Sequence, residues 1–219
     1  MFNWIYRSDK SVSIKKMFSK NATDLTTVSS VSSVSSELPL CDDTFKAAGC
    51  IFTDGKYALA GYQQNKGRPS ISGLGGSKKN GETFMDTALR ETLEELFEVY
   101  DIEQKLLKEL KAISPRRLYQ SDDYVSVIYS FDDLQRFLTI LKRSTKVKAT
   151  VLYKIFPKSV YELIHNRVIV STSEISYLML VPLLKHKPGN PFIDPLFLKD
   201  IATVKVLMTP TRFINIDIN

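Results

Sequence analysis

A glycine pair followed at fixed intervals by charged residues constrains this chain more than any other feature. Residues 75–95 read GGSKKNGETFMDTALRETLEE. Glu82 follows Gly76 by six positions, Arg90 follows Glu82 by eight, and Glu91, Glu94 and Glu95 come directly after. Thr83, with Asp86 three positions on, matches a capping box and predicts a helix starting near Thr83. Gly81 suits the turn that feeds it. At about 100° per residue, Met85, Leu89, Leu93 and Leu96 share one face. Glu91, Glu94, Glu95 and Glu98 lie roughly opposite. Such a helix packs its apolar face on a sheet and directs its acidic face to solvent or into a cleft. Carboxylates at i, i+3 and i+4 crowd one side, and each like-charge i,i+4 pair costs roughly 0.2–0.5 kcal/mol. The crowding becomes useful when a divalent cation sits among the oxygens. A glutamate run alone is ordinarily a solvated face. Such a face needs neither the glycines nor the spacings.

The stretch resembles the Nudix box, G-x5-E-x7-R-E-U-x-E-E-x-G-U, where U is apolar. Gly76, Glu82, Arg90, Glu91, Glu94 and Glu95 fall on its fixed positions without a gap. Thr92 stands at the first apolar position, Phe97 replaces the late glycine, and Glu98 replaces the apolar residue after it. The turn that ends the helix is thereby altered, and the helix is expected to run on toward Asp101. The proline often found before the glycine pair is missing from Gly73-Leu74-Gly75-Gly76. The segment LRETLEELF is also similar to Nudix proteins encoded by large DNA viruses.

The resemblance implies an α/β fold, a Nudix-type α/β/α sandwich with a mixed sheet. It also implies hydrolysis of a nucleoside diphosphate linked to another group. Such a phosphoanhydride resists water, because phosphate oxygens repel the nucleophile and water is a weak one. A divalent cation, Mg²⁺ with Mn²⁺ as the alternative, lowers both barriers. By resemblance Glu91, Glu94 and Glu95 hold the metal, and Glu94, Glu95 and Arg90 form the catalytic set. Arg90 would hold a carboxylate in register, Glu82 or Glu94. Gly75 and Gly76 would let the backbone approach the diphosphate, with Lys78, Lys79 and Glu82 beside it. The general base is Glu94 or Glu95, with Glu174 as a late-loop alternative that reads equally as a surface carboxylate.

The chain has 219 residues, enough for one domain with a real core plus accessory sequence. Residues 1–40 read as a flexible basic segment ending in a Ser-rich tract. The domain is expected over residues 45–207, enlarged at about 130–173, with a tail at 208–219. Ala47 to Phe52 and Tyr57 to Tyr62 read as strands around the turn Thr53-Asp54-Gly55-Lys56. Lys108 to Leu118, Tyr124 to Phe131 and Lys148 to Phe156 also read as strands. Asp132 to Arg143, Lys158 to His165 and Asp194 to Met208 read as helices. Cys41 and Cys50 do not form a disulfide framework, and no apolar run spans a bilayer. A reducing, cytoplasmic setting is the simplest expectation. The net charge of +6 and the basic pairs Arg116-Arg117, Lys142-Arg143, Lys146/Lys148 and Lys185-His186-Lys187 admit capped RNA as a partner. They read equally as solvated lysines and arginines.

Overall fold

The computed structural model describes residues 44–64, 69–148, 151–183 and 190–208. The segment 1–40, the Lys185-His186-Lys187 run and the tail beyond Met208 lie outside the described residues. In chain order the elements are β1 (Ala47–Thr53), β2 (Tyr57–Gln63), β3 (Ser70–Ser72), β4 (Leu74–Ser77), α1 (Phe84–Phe97), α2 (Gln104–Lys111), β5 (Arg117–Ser121), β6 (Tyr124–Ser130), α3 (Phe131–Leu141), the single turn α4 (Thr145–Lys148), α5 (Val160–His165), β7 (Ile175–Pro182) and α6 (Pro195–Met208).

The β1–β2 hairpin forms where the turn residues demand it, with Gly55 at φ 84° and Thr53 paired to Ala58. Beyond that turn the two strands splay, and the segment from Ser70 to Ser77 fills the gap. β3 pairs with β2, and β4 pairs with β1, both antiparallel. The crossing falls at Gly73, where a Cβ would come within 2.9 Å of the Phe197 ring. β6 adds parallel to β1, β5 antiparallel to β6, and β7 antiparallel to β2. The sheet is therefore mixed.

Strand alternation divides the core between its two faces. Ala48, Cys50 and Phe52 of β1, with Val125, Val127 and Tyr129 of β6, pack against the apolar sides of α1, α2 and α3. Ile51 and Ile128 point the other way and meet Phe197, Ile201 and Val204 of α6. Helices thus cover both faces, as an α/β/α sandwich requires. No helix among the described residues is long and apolar enough to cross a membrane.

α1 starts as its sequence dictates. Thr83 is the N-cap, and Thr83 and Asp86 exchange both bonds of the capping box. It does not run on toward Asp101. It ends at Phe97, because Glu98 adopts the left-handed conformation (φ 53°) and its N–H closes on Glu94 O. A non-glycine residue in that region costs about 1 kcal/mol. The adjacent Phe97 is fully buried and stacks on Phe156, with centroids 5.7 Å apart. Burying a phenylalanine outweighs the cap strain, since its removal typically costs about 3–5 kcal/mol.

Two strand expectations fail. Lys108 to Leu118 spans the end of helix α2, a turn and the start of β5. QKLLKELK buries Leu106 and Leu110 at i,i+4 spacing, which is helical rather than alternating. Lys148 to Phe156 forms no strand in its described part, 151–156. Its one ladder contact is an isolated bridge from Tyr153 to Arg167, and Leu152 and Tyr153 are buried against side chains instead. The region at 130–173 nevertheless contributes side chains to the core. Phe137, Leu152, Tyr153 and Leu163 all join the α1-side core.

Candidate active site

Arg90 organises the charged side of α1. Its side chain is 8% exposed, yet every guanidinium nitrogen has a partner. Nε donates to Glu82 Oε1 at 2.6 Å, and Nη2 donates to Glu82 Oε2 at 3.0 Å and to Ser77 O at 2.8 Å. Nη1 donates to Glu91 Oε1 at 2.7 Å and to Glu94 Oε2 at 3.1 Å. A planar fork bonded to three carboxylates fixes their positions far better than an ammonium could. The i,i+4 pair with Glu94 is only one arm of this arrangement.

Glu82 reaches the cluster from the turn before α1. It also accepts from the Lys79 N–H and the Thr87 hydroxyl, both at 2.9 Å. Burial disfavours its charge, but these bonds and Arg90 prevail and hold its pKa below the usual value. Glu91 shifts the other way. Desolvation raises its pKa, Arg90 opposes, and Glu94 adds to the rise. Its carboxyl lies over Gly76, where a Cβ would stand 2.6 Å from it. A side chain at position 76 would push this carboxyl away from the strand.

Glu95 leaves the acidic face expected of it. It is 4% exposed and turns into the sheet edge, accepting from the Gly75 N–H at 2.9 Å and from Gln63 Nε2 at 3.5 Å. The departure at Thr92 is also accommodated. Its hydroxyl is buried and donates to Ala88 O at 2.8 Å, so an apolar residue is not required there. Lys79 joins the cluster through Glu94 Oε1 at 3.0 Å. Lys78 does not, because its ammonium lies over the Phe45 ring, 4.1 Å from the centroid. Glu174 is exposed, immediately before β7. Both it and Glu94 raise the pKa of Tyr100, just beyond α1, behind desolvation and Glu98.

The donor set suits a hard divalent cation, since Glu91, Glu94 and Glu95 offer carboxylate oxygens. A cation beside Glu91 would also offset the desolvation of that group. Among the described residues no group of three His, Cys, Asp or Glu side chains is gathered as metal ligands. Arg90 and Lys79 stand between the carboxylates, and an entering cation competes with Lys79 for Glu94.

Arg167 is a residue that sequence reasoning missed. Nη2 donates to Glu95 O at 3.1 Å and to Ile175 O at 2.7 Å, while Nη1 donates to Leu96 O at 3.1 Å and to the Tyr153 hydroxyl at 3.0 Å. It thus neutralises carbonyls at the C-terminal end of α1 and ties them to the start of β7. Partners some seventy residues apart leave no local signal. Three of the basic residues read as admitting RNA are engaged in ion pairs. Arg116 pairs with Asp133 at 2.9 Å, Arg143 with Glu109, and Lys146 with Asp101 at 2.6 Å.

No family profile matches the sequence, and no curated protein matches it. Solved structures give weak likenesses. A bifunctional NMN adenylyltransferase/ADP ribose pyrophosphatase from Francisella tularensis, complexed with AMP and a Mn ion, is 18% identical over 42% of this chain and 29% of its own, with a TM-score of 0.28. A hydrolase of the NUDIX family from Clostridium perfringens is 13% identical over 77% of this chain and 99% of its own, at 0.33. A MutT/nudix family protein from Enterococcus faecalis is 20% identical over 43% of this chain and 38% of its own, at 0.26. This chain thus spans under a third of the Francisella tularensis protein. None of the three sources is viral. At such scores the functional reading stands on side-chain geometry.

Proposed function

We propose that this protein is a Mg²⁺-dependent Nudix hydrolase that cleaves the pyrophosphate linkage of a nucleoside diphosphate bound to another group. One observation carries the reading: a buried arginine holds Glu82, Glu91 and Glu94 together, while Glu95 is anchored on the glycine strand facing them. A solvated acidic helix face would not bury its arginine or fix each carboxylate by a directed bond. Glu91, Glu94 and Glu95 would hold the cation, with Mn²⁺ as an alternative. When bound, the cation supplies Lewis acidity toward the phosphates and acidifies water.

The chain's own residues do the rest. Arg90 keeps the carboxylates in register, so little reorganisation is needed when substrate arrives. Gly76 lets the Glu91 carboxyl lie close on the strand, and Lys79 stands ready to balance the charge of the diphosphate. Glu94 or Glu95 accepts the proton of the attacking water, with Glu174 as the alternative from the loop before β7. A cytoplasmic setting accompanies this reading, supported by the free, buried Cys50, whose thiol burial pushes up to about 12.

A panel of nucleoside diphosphate compounds incubated with Mg²⁺ or Mn²⁺ tests the proposal. Glu94→Gln and Glu95→Gln should each lower turnover by about 10²–10⁴-fold in a chain that still folds. Turnover unchanged in both variants would overturn it and favour a nucleotide-binding module. Release of 7-methyl-GDP from capped RNA is the narrower reading, and its absence removes that reading alone.

A further inference from the structure

The face of the sheet opposite α1 carries a cleft of about 850 Å³ between the start of α6, the β5–β6 turn and the β3–β4 strand. That volume suits a small-molecule ligand. Among the described residues four aspartates line it, Asp122, Asp123, Asp194 and Asp200, together with the ammonium of Lys199. Acceptor oxygens prevail among these side chains, so the cleft suits a group that presents N–H donors. Three of the aspartates are already engaged. Asp122 pairs with Lys199 at 3.5 Å and Asp123 with Lys46 at 2.9 Å, and Asp194 accepts from the N–H groups of Leu196 and Phe197.

Asp200 is different. It is 8% exposed and lines the cleft, and among the described residues the groups that favour its charge are the Lys199 ammonium and the Ser126 hydroxyl. Neighbouring Ser126 Oγ is close enough to lower the Asp200 pKa, yet it is itself buried without a well-formed bond. A largely buried carboxylate with one hydroxyl beside it keeps acceptor capacity that a ligand entering the cleft can use.

Gly75 connects this cleft to α1. It lines the cleft, and its N–H anchors Glu95 on the other side. A Cβ there would stand 2.3 Å from the Tyr124 hydroxyl, so the strand is held thin at this point. A ligand with one end in the cleft can therefore direct its other end over the glycine strand toward the carboxylates.

We propose that this cleft seats a guanine-type base, with the Asp200 carboxylate accepting from two adjacent N–H donors on the base edge. The assignment rests on the nucleotide reading above and names the base that reading leaves open. A carboxylate has two parallel acceptors, and guanine offers the matching ring N–H and exocyclic amine. Adenine sets one donor beside an acceptor and leaves one carboxylate oxygen facing a lone pair. Phe197 and Ile193 supply apolar walls.

The test is binding of nucleosides without phosphate to the full chain, followed by calorimetry in the absence of metal. Guanosine should bind more tightly than inosine, which lacks the amine, and more tightly than adenosine. Asp200→Asn should weaken guanosine on the order of tenfold and leave adenosine unchanged. Equal binding of guanosine and adenosine, no nucleoside binding, or an unaltered guanosine affinity in a folded Asp200→Asn would each overturn the assignment. 7-Methylguanosine in the same series separates a methylated cap base from an unmodified nucleotide as the source. Should the variant not fold, the wild type answers alone. Guanosine affinity should fall as pH drops through about 6, where Asp200 takes up its proton beside Lys199, Asp194, Ser126 and Tyr124. A flat profile overturns it. Nucleosides carry no phosphate, so failure here leaves the hydrolase reading standing, and failed hydrolysis leaves this binding readable.

Discussion

The two faces of the sheet treat buried charge in opposite ways. On the α1 face Arg90, Glu82, Glu91 and Glu94 bond to one another, and little is left to a ligand except the outward sides of the carboxylates. On the α6 face Asp200 is buried with only the Ser126 hydroxyl and the Lys199 charge to offset its desolvation, and burial pushes its pKa up to about 6. The difference separates two uses of a polar core. A satisfied network positions groups, and an unsatisfied one stores a demand that a ligand can meet.

The most severe way to break this contrast is to unpair the satisfied face. Arg90→Met should destabilise the fold by about 3–5 kcal/mol, because three carboxylates lose their common partner. Denaturant unfolding measures this, and Arg90→Lys should recover only part of the loss. A change under about 1 kcal/mol would mean that the network does not operate as a buried unit.

Arg167→Met sharpens the comparison by loosening α1 from β7 while leaving the carboxylate network alone. Each lost bond to a buried carbonyl costs about 1–3 kcal/mol at most, and relaxation makes the sum smaller. Hydrogen exchange should rise at the end of α1 before it rises elsewhere, and a uniform increase would refute a local role.

The smallest effect is expected on the unsatisfied face. The Asp200 pKa is about 6 in the fold against 3.8 for the unperturbed group. Between these values the folded chain retains a proton that the unfolded chain releases, so stability falls as pH rises through this window. Asp200→Asn has no such loss. Its melting temperature relative to wild type should rise between about pH 4 and 6 and stay level above. A difference that shrinks over that window would place the Asp200 pKa on the other side of its ordinary value. A variant that melts higher yet binds guanosine less well would be expected of a side chain kept for a ligand.

Local sequence decided whatever depends on neighbours within a turn or two. Thr83 and Asp86 specify the start of α1, and Ser130 and Asp133 form the same capping box for α3. The turn at Gly55 fixes the first hairpin, and the spacing from Gly76 to Glu95 puts Arg90 within reach of Glu82 and Glu94. The start of Lys108 to Leu118 is helical and not a strand because Leu110 is buried with Leu106 at i,i+4 spacing. Tertiary structure alone decided the rest. Glu95 turns inward because a bare glycine N–H awaits it on β4. Glu98 accepts a left-handed backbone because Phe97 has a place in the core. Arg167 and Asp200 acquire meaning only from groups that the fold brings to them from far along the chain. A short stretch of sequence encodes propensity and spacing, whereas burial, and with it the strength of every charge interaction, exists only once distant segments have excluded water.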